Sequence, residues 1–178
     1  MTSAQRRVAV GAGCAVAIGA AIIAYGLAGA PGIPIGFTHP SLAQRLILAV
    51  GAWLAPVASL GTSIFWVANI RGRSVADIDD AGLTVESPLI RIPRAILANT
   101  HEQASLAIPV YTGLAITLSP GTLLLPVLLS AAFAVGRIAF ALGYRHGAAA
   151  RSFSMALTGY PTLAGFAVLI WRMTAILR

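Results

Sequence analysis

Three polar clusters interrupt an otherwise apolar chain of 178 residues, and each has residue types and spacing suited to chemistry. The first is NTHEQ, residues 99–103, where Asn99, Glu102 and Gln103 stand at i, i+3 and i+4 and so share a helix face. The second is Arg137, Phe140 and Tyr144, at i, i+3 and i+7. The third is Arg151-Ser152, which opens the last apolar run. An ionisable residue inside a membrane helix is costly and marks function by default. Arg94, Asn99, Glu102, Arg137, Tyr144 and Arg151 together suit a small, polar, multiply charged ligand. Arginines would take its carboxylates, Glu102 its ammonium, and Asn99 and Tyr144 its remaining hydrogen bonds.

The elements that position these residues follow from composition. Hydrophobic residues make up 58% of the chain and charged residues only 10%, against about 25% charged in a soluble domain. Mean hydropathy is +0.86. Five apolar segments, at about 8–30, 41–70, 94–118, 122–144 and 151–177, are each long enough to cross a bilayer as helix. Helix is required because lipid offers no partners for an open strand edge. The expected fold is therefore all-α, a polytopic membrane bundle. Thr122 in the SPGT turn is a candidate N-cap for the fourth segment, and Pro126 fits its first turn. Pro109 and Pro161 should bend their helices.

All twelve basic residues are arginine and the formal charge is +7. Nine arginines fall on one side of the expected bundle and three, Arg45, Arg172 and Arg178, on the other. The positive-inside rule then makes the N-terminus and the connections around 71–92 and 145–150 cytoplasmic. No basic patch with interleaved aromatics appears, so no nucleic-acid partner is expected. One cysteine, Cys14, allows no internal disulfide and no cysteine metal site. The DIDD run at 77–80 reads as a solvated loop, and no metal is expected. The first segment also carries signal-peptide features, Arg6-Arg7 before it and Ala28-Gly29-Ala30 at its end, but Pro31 opposes cleavage. We read it as a retained helix, with residues 1–35 set apart from a domain spanning 36–178.

The third and fourth segments, joined by a short turn, should be antiparallel neighbours. Counted from that turn, Glu102 and Arg137 lie at similar depth. If the third helix starts near Arg94, Glu102 lies roughly 12 Å along it. Each charge is costly alone and tolerable as a pair. We therefore expect Glu102 to pair with Arg137, with Asn99 and Gln103 completing the hydrogen bonds.

Three blocks now carry a resemblance: RAILANTHEQ from 94, GRIAFALGYRHG from 136 and RSFSMALTGYP from 151. Together they resemble the MAPEG family, the membrane-associated proteins of eicosanoid and glutathione metabolism. The family pattern is an Arg before N-x-x-E, then R-x-x-aromatic-x-x-x-Tyr, then a further Arg. Asn99, Glu102, Arg137, Phe140, Tyr144 and Arg151 match it. The resemblance implies a four-helix core, with the first segment as an added N-terminal helix. It implies a homotrimer with sites between subunits, glutathione as co-substrate and a lipophilic small-molecule acceptor arriving from the lipid bilayer. It gives Arg151 the role of stabilising the glutathione thiolate. A thiol of pKa ~8.5 is mostly protonated at neutral pH, and a close cation lowers that by ~1–3 units. The expected setting is a bacterial inner membrane.

Departures from the pattern are visible too. Arg94 stands five residues before Asn99, where glutathione-binding members have four, and Ala95 takes that place. Gln103 and Phe140 stand where other members have tyrosine. These favour an alternative, a non-catalytic lipid-binding protein of the same fold. A transporter using Glu102 and Arg137 as a relay is a poorer fit, because no discontinuous helix pair or inverted repeat is present.

Overall fold

The structure, a computed structural model, describes residues 1–30, 38–78 and 87–178. Its helices are α1 (Ser3–Leu27), α2 (Leu42–Arg71), the short α3 (Val75–Ile78), α4 (Pro88–Thr117), α5 (Leu125–Gly143) and α6 (Ala148–Ile176). Single 3₁₀ turns, Pro120–Thr122 and Tyr144–His146, flank α5. No strand occurs among the described residues, and the fold is an all-helical membrane bundle. The 35/36 division lies outside the described residues, as do Asp79 and Asp80.

Local chemistry starts the helices where the chain needs it. Thr2 and Gln5 form a capping box at α1, and Ser41 and Gln44 form another at α2. The α4 helix begins at Pro88, earlier than the expected Arg94, and carries Pro93 inside it. Its N-cap Ser87 gives both its backbone N–H (2.9 Å) and its hydroxyl (2.6 Å) to the Asp77 carboxylate. Asp77 is thus a buried anchor, not part of a solvated loop. Thr122 is no helix cap either. It closes the turn onto Ser119, and α5 starts at Leu125 with Pro126 in its first turn.

Among the described residues, four helices are long and apolar enough to cross a membrane: α1, α2, α5 with its flanking turns, and α6. The expected fifth, α4, has the length, 30 residues, but not the apolarity. Its polar middle, 99–103, is the cause, and the bundle accommodates it by packing α4 between α2 and α6. Helix α5 closes the bundle against α6 and α2, and α1 lies along α6.

Small residues set these distances, as expected where lipid removes the hydrophobic drive between helices. A Cβ on Gly136 would meet Thr158 Cγ2 at 2.5 Å, so α5 and α6 nearly touch there. A Cβ on Gly19 would lie 2.7 Å from Pro161 Cγ, which seats α1 on α6. The core gathers Tyr111, Leu114, Leu123, Leu125, Leu129 and Phe133. Within it the Tyr111 hydroxyl donates to Leu129 O (3.2 Å) and pairs with Thr162 Oγ1 (3.1 Å), joining α4, α5 and α6. At the far end Arg45 donates to the carbonyls of Ala115, Ile116 and Leu118, and Arg172 to that of Thr117. Two cations therefore satisfy the orphan carbonyls at the C-terminus of α4.

Candidate functional site

At the opposite end of the bundle, five side chains form an unbroken string. Arg137 on α5 donates through Nη1 to Asn99 Oδ1 on α4 at 2.8 Å, with Thr100 Oγ1 at 3.5 Å. Its guanidinium lies over the Phe140 ring, 4.3 Å from the centroid. Phe140 meets Tyr144 edge-on, with ring centroids 5.4 Å apart. Arg151 then lies over the Tyr144 ring at 4.8 Å. Each link is of a favourable type: a charge-assisted hydrogen bond, two cation–π contacts and an edge-to-face aromatic pair.

The sequence builds this string locally. The i, i+3, i+7 spacing stacks Arg137, Phe140 and Tyr144 on one side of α5 and its closing turn. Gly147 follows with φ 94°, a left-handed conformation open to glycine, and turns the chain into α6. One turn into α6, Arg151 comes back over Tyr144. The neighbouring Ser152 gives its hydroxyl to Val8 O on α1 at 3.2 Å and to Ala149 O at 2.8 Å. Helix α1 therefore touches the residue next to Arg151, a contact with no signal in the sequence pattern.

Arg137 is 5% exposed, and its Nε and Nη2 are buried without a hydrogen-bond partner. It lines a cavity of about 380 Å³ between α2 and α5, which Ser59, Thr62, Trp66 and Thr100 also border. No carboxylate pairs with it among the described residues. The expected ion pair with Glu102 is not formed in the chain; Glu102 is exposed on the outer side of α4. The reason is rotational. The inward face of α4 is set by Thr100, Ala104, Ala107 and Tyr111. At about 100° per residue Glu102 lies roughly 200° from Thr100, whereas Asn99 lies beside it.

Of the six candidate residues, the structure joins Asn99, Arg137, Tyr144 and Arg151. Glu102 and Arg94 stand apart, exposed on α4. Arg94 instead borders a recess with Arg71 and His101. Gln103, half-buried, lies against Gly159 of α6, whose Cβ would sit 3.3 Å from Gln103 Oε1. Thr100 is the member that the sequence did not single out; Phe140 stands in the i, i+3, i+7 stripe as expected, with its ring between Arg137 and Tyr144.

This order of motifs can now be set against known proteins. The MAPEG family model matches residues 46–171. The chain belongs to the MAPEG family. The matched region holds α4, α5 and nearly all of α2 and α6, and with them the whole string; α1 lies before it. No curated protein and no solved structure matches. MAPEG membership, with four membrane-length apolar helices among the described residues, makes this an integral membrane protein. It places the chain among glutathione-related transferases and peroxidases and proteins of lipid metabolism.

Proposed function

We propose that this MAPEG protein is a glutathione-dependent transferase or peroxidase acting on lipophilic electrophiles, with Arg151 stabilising the glutathione thiolate. The observation that carries the reading is Arg151 held over Tyr144 at the end of a string that starts at Asn99. A cation fixed by stacking needs no reorganisation when a thiolate forms beside it. Arg137, without a carboxylate partner among the described residues, adds positive potential that draws an anionic tripeptide to this end of the bundle. Asn99, Arg137 and Tyr144 position glutathione. Glu102, on the outer face of α4, contributes from a neighbouring copy in a homotrimer, whereas Arg94 faces the recess with Arg71 and His101. An exposed carboxylate at this depth is costly against lipid and tolerable against protein.

In a transfer reaction the thiolate sulfur attacks an electrophilic carbon of the acceptor. A C–S bond forms, and the displaced oxygen or halide leaves with the electron pair. With a hydroperoxide the sulfur attacks the O–O bond and the alkoxide takes a proton. The resulting sulfenic acid then condenses with a second glutathione to give the disulfide and water. The string end lies on the arginine-rich side, and we read that side as the cytoplasmic face of a bacterial inner membrane.

A second reading is a non-catalytic lipid-binding protein, favoured by Phe140. Its ring is 4% exposed between Arg137 and Tyr144, filling a structural slot without a hydroxyl. Calorimetry of glutathione binding to detergent-purified protein, with thiolate absorbance followed near neutral pH, separates the two. Binding with thiolate formation supports the enzyme. No binding at millimolar glutathione supports the lipid-binding reading.

A further inference from the structure

The displaced Arg94 points to a second site. Between the C-terminal end of α2 and the first half of α4 lies a recess of about 440 Å³. Its polar lining is basic: Arg71, Arg94 and His101. No carboxylate is among the described residues that line it. Asp77 lies within electrostatic reach of Arg71, but both its oxygens already accept from Ser87. Arg71 Nε is buried and has no hydrogen-bond partner.

Polarity along the recess is graded. From Arg71 the α2 wall continues through Val67, Ile64 and Leu60, a change from charged to aliphatic over roughly 16 Å at 1.5 Å per residue. Ile64 is half exposed, so the recess opens sideways to the surroundings of the bundle. On α4, His101 lies roughly 10 Å farther along than Arg94. An imidazole offers an N–H donor whether neutral or charged. A free anion needs only the cationic end of such a slot. A phospholipid uses all of it: phosphate at the arginines, ester carbonyl at the imidazole, acyl chain along the aliphatic wall. Basic pockets between helices on the arginine-rich side of a membrane protein are suited to anionic headgroups.

We propose that this recess binds the phosphodiester headgroup of an anionic phospholipid, held by Arg71 and Arg94, with His101 on its ester carbonyl. The site is separate from the Asn99–Arg151 string and does not depend on its chemistry. It also accounts for Arg94 standing one position from the family pattern, because about 100° of rotation turns it from the Asn99 side to the His101 side.

The test is native mass spectrometry and thermal melting of the full chain in detergent. The added probes are phosphatidylglycerol, phosphatidylcholine or inorganic phosphate. We expect phosphatidylglycerol to be retained at least tenfold over phosphatidylcholine and to raise Tm by several degrees, with no shift from phosphate. Arg71→Gln with His101→Leu should bring the retention ratio close to one. Ala98→Phe, which fills the recess from α4 and leaves the charges in place, should do the same, and serves if the double variant does not fold. Equal retention of both lipids overturns the proposal, as does an equal shift from phosphate alone. A retention ratio unchanged in a folded variant also overturns it.

Discussion

The Arg151 guanidinium sits 4.8 Å above the Tyr144 ring, bringing the start of α6 over the end of α5. The contact holds a cation at a fixed place beside the rest of the string. Replacing Arg151 with alanine should leave the fold intact and raise the pKa of bound glutathione by ~1–3 units. Turnover at neutral pH should then fall roughly 10²–10³-fold. Arg151→Lys should restore part of the thiolate absorbance. Unchanged turnover in the alanine variant would remove Arg151 from the mechanism.

Phe140 joins Arg137 to Tyr144, so its ring, not its bulk alone, should matter. Phe140→Leu keeps an apolar side chain and loses both ring contacts. Each such contact is worth about 0.5–2 kcal/mol. A double-mutant cycle with Arg137→Met, read by unfolding in detergent, should show coupling of that size. Additive effects would mean that the stack carries no energy.

Arg45 and Arg172 both donate to the carbonyls that end α4. Removing either leaves acceptors unmatched at an estimated cost of ~1–3 kcal/mol. Arg45→Ala should cost more, because three carbonyls use it against one for Arg172. Thermal melts of the two variants give the order directly.

The seating of α1 can be tested by crosslinking. A Cβ at Gly11 would lie 3.5 Å from Phe153 Cβ, within the range for a disulfide. Gly11→Cys with Phe153→Cys, in a Cys14→Ser background, should therefore form an internal bond on mild oxidation. Gly19→Leu, placed against Pro161, should suppress that bond by lifting α1 from α6. Persistent crosslinking in the leucine variant would show that α1 is held elsewhere.

Asp77 supplies the pH dependence of the α2–α4 connection. Hydrogen bonds from Ser74 and Ser87, with the Arg71 charge a smaller cause, hold its carboxyl below the usual 3.8. A depressed folded-state pKa contributes stability that is full above the ordinary value and lost as pH falls through the folded one. Acid titration of unfolding should show that loss below the ordinary carboxylate range. Asp77→Asn should flatten it. An identical acid profile in the variant would assign the loss to other groups.

The sequence by itself determined the helical membrane class, the family and the spacing that stacks Arg137, Phe140 and Tyr144. These follow from apolar length and from short-range periodicity, which need no tertiary information. Periodicity also established that Asn99 and Glu102 stand close on α4, and that Arg94 is turned by one residue from the family pattern. It gave angles between residues on a helix, not the rotation of that helix in the bundle. Burial of Thr100, Ala104, Ala107 and Tyr111 decided the rotation of α4. That choice turned Asn99 to Arg137 and Glu102 outward, and it set Arg94 beside Arg71 and His101. The start of α4 at Pro88, the seat of α1 on Ser152 and the pairing of Arg45 with α4 likewise depend on contacts across distant segments. Only packing fixes such contacts, because each is chosen by the partner surface and not by its own neighbours in the chain.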